Sequence, residues 1–574
     1  MACREQALSN DYMELLVDYP LMEGTVDGRE ACVEIIDEQF AILYLQRAGL
    51  PPLSVSDYTY NSIPKLYGLS QETGVASSEA FDSLSLLQTG ILQTQREPLA
   101  LTGQGVIMGF VDTGIRYELD VFRREDGSSR ILSIWDQTIQ EGTPPEGFSY
   151  GTEYTREQID AALLSDDPLS VVPSTDPTGH GTAVASVAAG SRVDGGNTFL
   201  GAAPDADIVM VKCREGKQYL RDYYFIPEGV PAYSDADIGM AVKYLEGLAR
   251  VGNRPVVICI GMGTNWGDHA GNSILARYLS RVAEKRNRVV VIAAGDEGNA
   301  AHHFLSVFKM TSPVIQEMAE VRVDGQERGF LMELWGNIPN VLSVSVRSPG
   351  GERIPTIDLR SRGTQTYSFI YERTRITIDH VLVEQGSGEE LVVFRFTDPT
   401  PGVWRFELTS ESNADYGAIN MWLPIKAFLQ SETYFLRSSP YITVTEPSSA
   451  MNAITPSAYN DSNNSFYPNS GRGFLRNGYI KPDFAAPGVN VSTVLGKQTG
   501  SAISAAITAG AAAQFMQWAV IERNDVLVQS VEVKSYFVRG AIRRPEELYP
   551  NRSWGFGILN VERAFEIIAG TAYR

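Results

Sequence analysis

The 574-residue chain changes its hydrophobic rhythm along its length. From about residue 105, nearly continuous apolar runs rich in valine and isoleucine recur: GVIMGFV (105–111), ADIVMVK (206–212), PVVICIG (255–261) and RVVVIAA (288–294). Such runs suit strands buried on both faces. Between them lie helical patterns. SDADIGMAVKYLEGLARVG opens on a serine placed to cap a helix and repeats apolar residues at helical spacing, and GNSILARYLSRVAEKRN does the same and ends basic. Alternating strands and helices predict an α/β fold, a parallel sheet with helices on both faces.

The rhythm breaks between about residues 315 and 432. There TQTYSFIY, TRITIDHVLV, EELVVFRF, GVWRFELT and YGAINMWL alternate with turn-formers, which predicts an inserted antiparallel sandwich or barrel. It carries Trp335, Trp404 and Trp422, three of the seven tryptophans, and aromatics at such density suit a sandwich interior or interface better than a carbohydrate platform. Alpha/beta character resumes with YITVTEP, KPDFAAPG, an apolar helix after Gly500 and a closing helix–strand–helix (VEVKSYFVRGAIRR, FGILNV, VERAFEIIAG). The stretch Ala502–Ile521 is apolar, but its alanines and its Ser504, Thr508, Gln514 and Gln517 predict a buried helix rather than a membrane span. Ahead of the core, residues 1 to about 70 mix helical and strand-like runs (ACVEII, FAILYL) in a small α+β module, and residues 70–100, rich in Ser, Gln and Thr, read as a linker.

Composition narrows the functional classes. A hydrophobic content of 43% and a charged content of 20% are those of a globular protein. The net charge of -21 argues against nucleic acid and against an anionic membrane surface as partners. The N-terminus has no apolar run that predicts a signal peptide. Cys3, Cys32, Cys213 and Cys259 are too scattered to predict a disulfide framework or a zinc site, and Cys213 and Cys259 lie in strand-like runs as core thiols. No carboxylate or cysteine stands at ligand spacing beside the His302–His303 pair, so no metal site is predicted there, and no acidic loop has a calcium-ligand pattern. No cofactor is expected, and calcium stays open.

The candidate chemistry lies in four motifs. Asp112 ends a buried strand in FVDTGI, at the carboxyl end where parallel sheets place their sites. His180 sits in DPTGHGTAVASVAAG at the start of a small-residue helix, and KPDFAAPG and GKQTGSAISAAITAG follow far downstream. Aspartate, then histidine, then a small-residue helix is the order of the subtilisin triad. D-T-G alone is weak and G-H-G-T moderately specific, but the four in sequence leave little room for chance.

Together these motifs resemble the subtilisin-like (S8) serine peptidases, and among them the Csp germination proteases of clostridial spores. LSNDYMELLVDYP, YNSIPKLYGL, DGSSRILSIWDQT, the β insertion and LYPNRSWGFGILNVERAFE carry that resemblance. It implies a prodomain over 1–75, a subtilase domain in two parts (76–314 and 433–574) and a jelly-roll-like insertion over 315–432. It implies that the prodomain occupies the active-site cleft, that the substrate is a protein such as a lytic-enzyme precursor, and that the protein is made in the cytoplasm and associated with the spore. Gly261, Met262 and Gly263 take the substrate-binding stretch, where the family commonly has Ser-Leu-Gly.

Two positions depart from the family pattern. In the motif G-T-S-x-A an Ala-Gly pair follows, its glycine eight residues after the nucleophile, so Ala509–Gly510 places Ala502 where the serine belongs. Ser501 could serve only if the helix rotated by about 100° per residue. A methyl group cannot attack a carbonyl, and in subtilisin losing the serine costs about 2 × 10⁶ in kcat. Position 296 is aspartate where the family's asparagine amide donates to the oxyanion, and an ionised carboxylate accepts rather than donates. Two explanations stay open: a protease whose serine has been replaced, keeping its prodomain uncleaved, and a natural pseudoprotease that binds a ligand or partner as a germination regulator.

Overall fold

Each of the four apolar runs becomes a strand of one six-stranded sheet. Its order is Arg288–Ile292, Val256–Ile260, Ile107–Asp112, Asp207–Lys212, Ile131–Asp136 and Thr152–Thr155, parallel throughout except for the last pairing. The structure is a computed structural model and describes residues 3–18, 31–70, 81–194, 198–309, 314–358, 362–411 and 416–570. Alternate side chains of the Ile107–Asp112 strand enter different cores. Met108 and Phe110 share a core with the helices His180–Ala189 and Ser501–Met516, whereas Ile107 and Val111 belong to the one that holds Asp235–Val251 and Ile274–Ala283. Burial on both faces is the reason these runs are continuously apolar. Ser234 and Ser273 cap the two amphipathic helices as expected, each accepting a backbone N–H through its side chain.

The helix Ser501–Met516 is buried along its whole length, which suits its lack of a polar face. At Gly510 it approaches its neighbours so closely that an added Cβ would collide with Ala202 Cβ and lie 2.7 Å from Ala188 O. Among the described residues no helix is long and apolar enough to cross a membrane.

The inserted β region consists of two antiparallel sheets, one of six strands and one of five. It begins earlier than expected: the strand His303–Lys309 already pairs with Tyr416–Trp422. It also runs on to Thr433–Phe435, which pairs with Val314–Val323. The apolar faces enclose a core around Phe330, Phe394, Phe396, Trp404 and Phe406. Trp335 and Trp422 are equally buried but face outward from that core, against the N-terminal module and the α/β domain.

The N-terminal module is a short helix, Arg4–Leu8, on a sheet ordered Tyr12–Asp18, Phe40–Gln46, Ala31–Ile35. One face of this sheet (Leu16, Phe40, Ile42, Tyr44) shares a core with the Asp235–Val251 helix, and the other (Met13, Leu15, Leu43, Leu45) shares one with Trp335 and Trp266. Three expectations need correction. Cys3 and Cys32 form a disulfide that ties the helix to the edge strand, a pairing the spacing did not show. The linker is partly structured: Leu84–Gln88 and Ile91–Thr94 are helical, with Leu86 and Ile91 in the core, while residues 71–80 lie outside the described residues. FGILNV forms no strand. Ile558 makes isolated bridges to Ala485 and Ile542 before the helix Val561–Ile568.

Candidate active site

Asp112 ends one strand and Gly261 follows its neighbour at the carboxyl edge of the sheet, where the chain crosses from one side of the central strand to the other. His180 is the first residue of its helix, behind Gly179 in the left-handed region at φ +80°. The histidine and the aspartate are 3% and 1% exposed, and His180 Nδ1 lies 2.6 Å from Asp112 Oδ1. Asp112 Oδ1 also accepts the Thr113 N–H at 2.7 Å. Burial pulls the imidazole pKa down, but the charge and hydrogen bond of Asp112, helped by Asp176 and Asp296, outweigh it and hold His180 above its ordinary value.

Asp176, which the sequence reading did not single out, builds the loop ahead of His180. Its Oδ1 accepts Thr113 Oγ1–H at 2.8 Å and the Gly179 N–H at 2.9 Å, and its Oδ2 accepts the Thr182 N–H and Oγ1–H at 2.9 and 2.7 Å. One buried carboxylate thereby ties the Asp112 turn to the His180 helix. The glycine after His180 is required by space: a Cβ there would collide with Gly114 O.

The helix Ser501–Met516 brings Ala502 to the same point. A Cβ built on Gly261 would lie 2.8 Å from His180 Cε1, 3.1 Å from Asp112 Oδ2 and 3.2 Å from Ala502 Cβ. The three sequence-derived positions therefore converge, and the missing side chain at 261 leaves His180 its room. His180 Nε2 and Ser501 Oγ are both buried without a hydrogen-bond partner among the described residues, so they are not bonded to each other. Ser504 turns away, with its hydroxyl 3.0 Å from both Ala486 O and Pro487 O of the KPDFAAPG turn.

Asp296 lies at the head of this helix rather than standing free: its Oδ1 and Oδ2 accept the Ser501 N–H at 3.0 and 3.3 Å. A carboxylate at a helix N-terminus is favoured by the orphan amides and the dipole there. The next residue, Glu297, accepts from His302 Nδ1 at 2.6 Å and from the Lys426 N–H at 2.9 Å. This is the carboxylate partner of His302 that the sequence spacing did not reveal. His303 diverges from it and stacks on Trp422 with centroids 4.5 Å apart.

Gly261, Met262 and Gly263 carry a strand from the N-terminal module. Leu66–Leu69 pairs antiparallel with Met262–Gly263, Leu69 opposite Met262 and Gly68 opposite Gly263, and on its other edge with Tyr233–Ser234. Ser70 extends the pairing by donating its N–H to Gly261 O at 2.9 Å, and its carbonyl accepts the Ala502 N–H at 3.1 Å. The family resemblance implies a prodomain junction near residues 68–82, a window that contains Ser70, but no pattern marked that residue itself, because its position depends on docking across 432 residues of chain (from 70 to 502).

An aspartate–histidine pair, a small-residue helix and a substrate-like strand, at the carboxyl edge of a parallel sheet, define a subtilisin-type serine peptidase architecture. The model of the subtilase family matches residues 103–362 and 439–557, and the chain belongs to that family. Among solved structures it is similar to the CspB protease of Clostridium perfringens, with 28% identity over 84% of this chain and 97% of that one and a TM-score of 0.75. The epidermin leader peptide processing serine protease EpiP of Staphylococcus aureus is 12% identical, covering 97% of this chain and 99% of that one at a TM-score of 0.45. Fervidolysin of Fervidobacterium pennivorans is 10% identical over 97% and 61% of the two chains, at a TM-score of 0.44. No curated protein matches the chain.

Proposed function

We propose that this chain is a Csp-type subtilisin-like endopeptidase that carries its own prodomain in the cleft and stops before self-cleavage because residue 502 is alanine. The docking of Ser70 carries this reading. With its N–H on Gly261 O and its carbonyl on the Ala502 N–H, Ser70 occupies the residue before a scissile bond, and the bond to be cut is Ser70–Gln71. A hydroxyl on the Ala502 β-carbon would add to the Ser70 carbonyl and give its proton to His180 Nε2, and Asp112 would stabilise the imidazolium. Collapse of the adduct would break the Ser70–Gln71 bond as His180 passes that proton to the Gln71 amine, and water would then release Ser70 as a carboxylate. The residue 502 amide would donate to the oxyanion. The similarity to a clostridial CspB protease, with the sequence resemblance to spore germination proteases, supports the physiological part: activation of a lytic-enzyme precursor by limited proteolysis in the spore.

Ala502→Ser tests this, with chain length followed by intact-mass spectrometry. The variant is expected to separate into residues 1–70 and 71–574, and His180→Ala added to it should return the full-length chain. A full-length Ala502→Ser chain would contradict the reading. A second reading, a natural pseudoprotease that regulates by binding, is favoured by Asp296, which brings a carboxylate where a donor is needed. It predicts that neither Ala502→Ser nor Ala502→Ser with Asp296→Asn cleaves itself.

A further inference from the structure

Gly68, the third residue before the Ser70–Gln71 bond, lies in an extended strand whose backbone does not call for glycine. Space does. A Cβ there would lie 2.5 Å from Ile425 Cδ1 and 3.3 Å from two carbons of the Phe428 ring. Both residues belong to the strap 423–428, which follows the strand Tyr416–Trp422 and precedes the insertion's last strand, Thr433–Phe435. The strap is pinned to both walls of the cleft. Asn265 Nδ2 donates to Leu423 O at 3.1 Å, the Leu423 N–H donates to His302 O at 2.9 Å, and the Lys426 N–H donates to Glu297 at 2.9 Å. Phe428 is fixed further by stacking on Trp266, with centroids 5.5 Å apart and planes 19° from parallel. Ile425 and Phe428 are buried.

We infer that the β insertion is a specificity element: its strap roofs the cleft at the third position before the cut and admits glycine there. A swing of the Ile425 terminal methyl could make room for alanine. A branched side chain would also meet the Phe428 ring, which stacking and the strap's anchors hold in place. The inference rests on the reading of residues 66–70 as the occupant of the substrate path. It extends that reading to substrates in trans: a precursor cut by the restored enzyme presents glycine two residues before the residue whose carbonyl is attacked.

Two measurements test it. In the Ala502→Ser chain, Gly68→Val is expected to slow self-cleavage by about a hundredfold, the scale of a misplaced reacting group, and Ile425→Ala added to it is expected to recover much of the loss. In the chain with alanine at 502, hydrogen–deuterium exchange reads the roof without any catalysis. Gly68→Val should speed exchange of the Ser70 and Ala502 amides, Ile425→Ala should reverse the change, and the Ile107–Asp112 strand should stay protected. Cleavage of the Gly68→Val chain at the unmodified rate, unchanged exchange at Ser70, or loss of protection throughout the chain would overturn the inference. An uncut Ala502→Ser chain with the expected exchange pattern would sink the peptidase reading and leave the roof standing.

Discussion

At the scale of single residues, the site is held by carboxylates that differ in task. Asp112 faces His180, Asp176 fastens the loops that carry both, and Asp296 accepts from the head of the Ser501–Met516 helix. All three raise the His180 pKa against its burial. Because the folded value lies above that of the unfolded chain, the stability His180 contributes is fully present below its ordinary 6.5 and is lost as pH rises through the raised value. Asp296→Asn removes one of the raising charges, so the His180 titration followed by NMR should shift to lower pH. An unchanged midpoint would mean that Asp296 does not act on the imidazole. In the Ala502→Ser background the same substitution offers an amide donor to the developing oxyanion, and self-cleavage should speed up by roughly a hundredfold, the usual worth of one such donor. A slower reaction would show that Asp296 serves the helix terminus more than its charge harms the chemistry.

Among the elements, packing of the Ser501–Met516 helix on the His180–Ala189 helix sets the register of the site. Gly510, the glycine of the Ala509–Gly510 pair, is a point of close approach, where an added Cβ would lie 2.7 Å from Ala188 O. Gly510→Val would overpack it. The expected cost is about 1–3 kcal/mol, measured by denaturant unfolding, with loss of self-cleavage in the Ala502→Ser chain; an unaltered midpoint would contradict the close approach. That register was legible in the sequence because a small-residue pattern survives on a helix buried all round. The four sheet strands were legible for a similar reason, as runs buried on both faces. Other features depend on contacts far apart in the chain. Asp176 reads as an ordinary turn aspartate until Thr113 and Thr182 are seen to close on it. The Cys3–Cys32 bond needs the fold of the N-terminal sheet, and the Leu84–Thr94 helices are too short for a clear period. The insertion's first strand, His303–Lys309, directly follows the site loop that holds Asp296 and Glu297.

Across the whole molecule, the N-terminal module is wedged between two partners by buried polar groups. On the α/β side the fully buried Glu14 accepts from Ser234 Oγ at 3.1 Å and lies 3.6 Å from Arg214 Nη2 and 3.8 Å from Lys217 Nζ. On the insertion side the Tyr60 hydroxyl donates to Glu333, 2.7 Å from Oε1 and 2.8 Å from Oε2, and burial pushes the Glu333 pKa up to about 7. Removing one member of a buried charged group leaves the others uncompensated, so Glu14→Ala should cost about 3 kcal/mol in unfolding experiments, with Glu14→Gln milder. Equal stability of Glu14→Ala and the parent chain would show that this contact does not hold the module. Held on both sides, the module delivers Tyr67, Gly68, Leu69 and Ser70 to the cleft in one register. N-terminal sequencing of the large fragment released from the Ala502→Ser chain tests that register most directly. A fragment beginning at Gln71 is the expected result; a fragment beginning at any other residue, or none at all, would contradict that register.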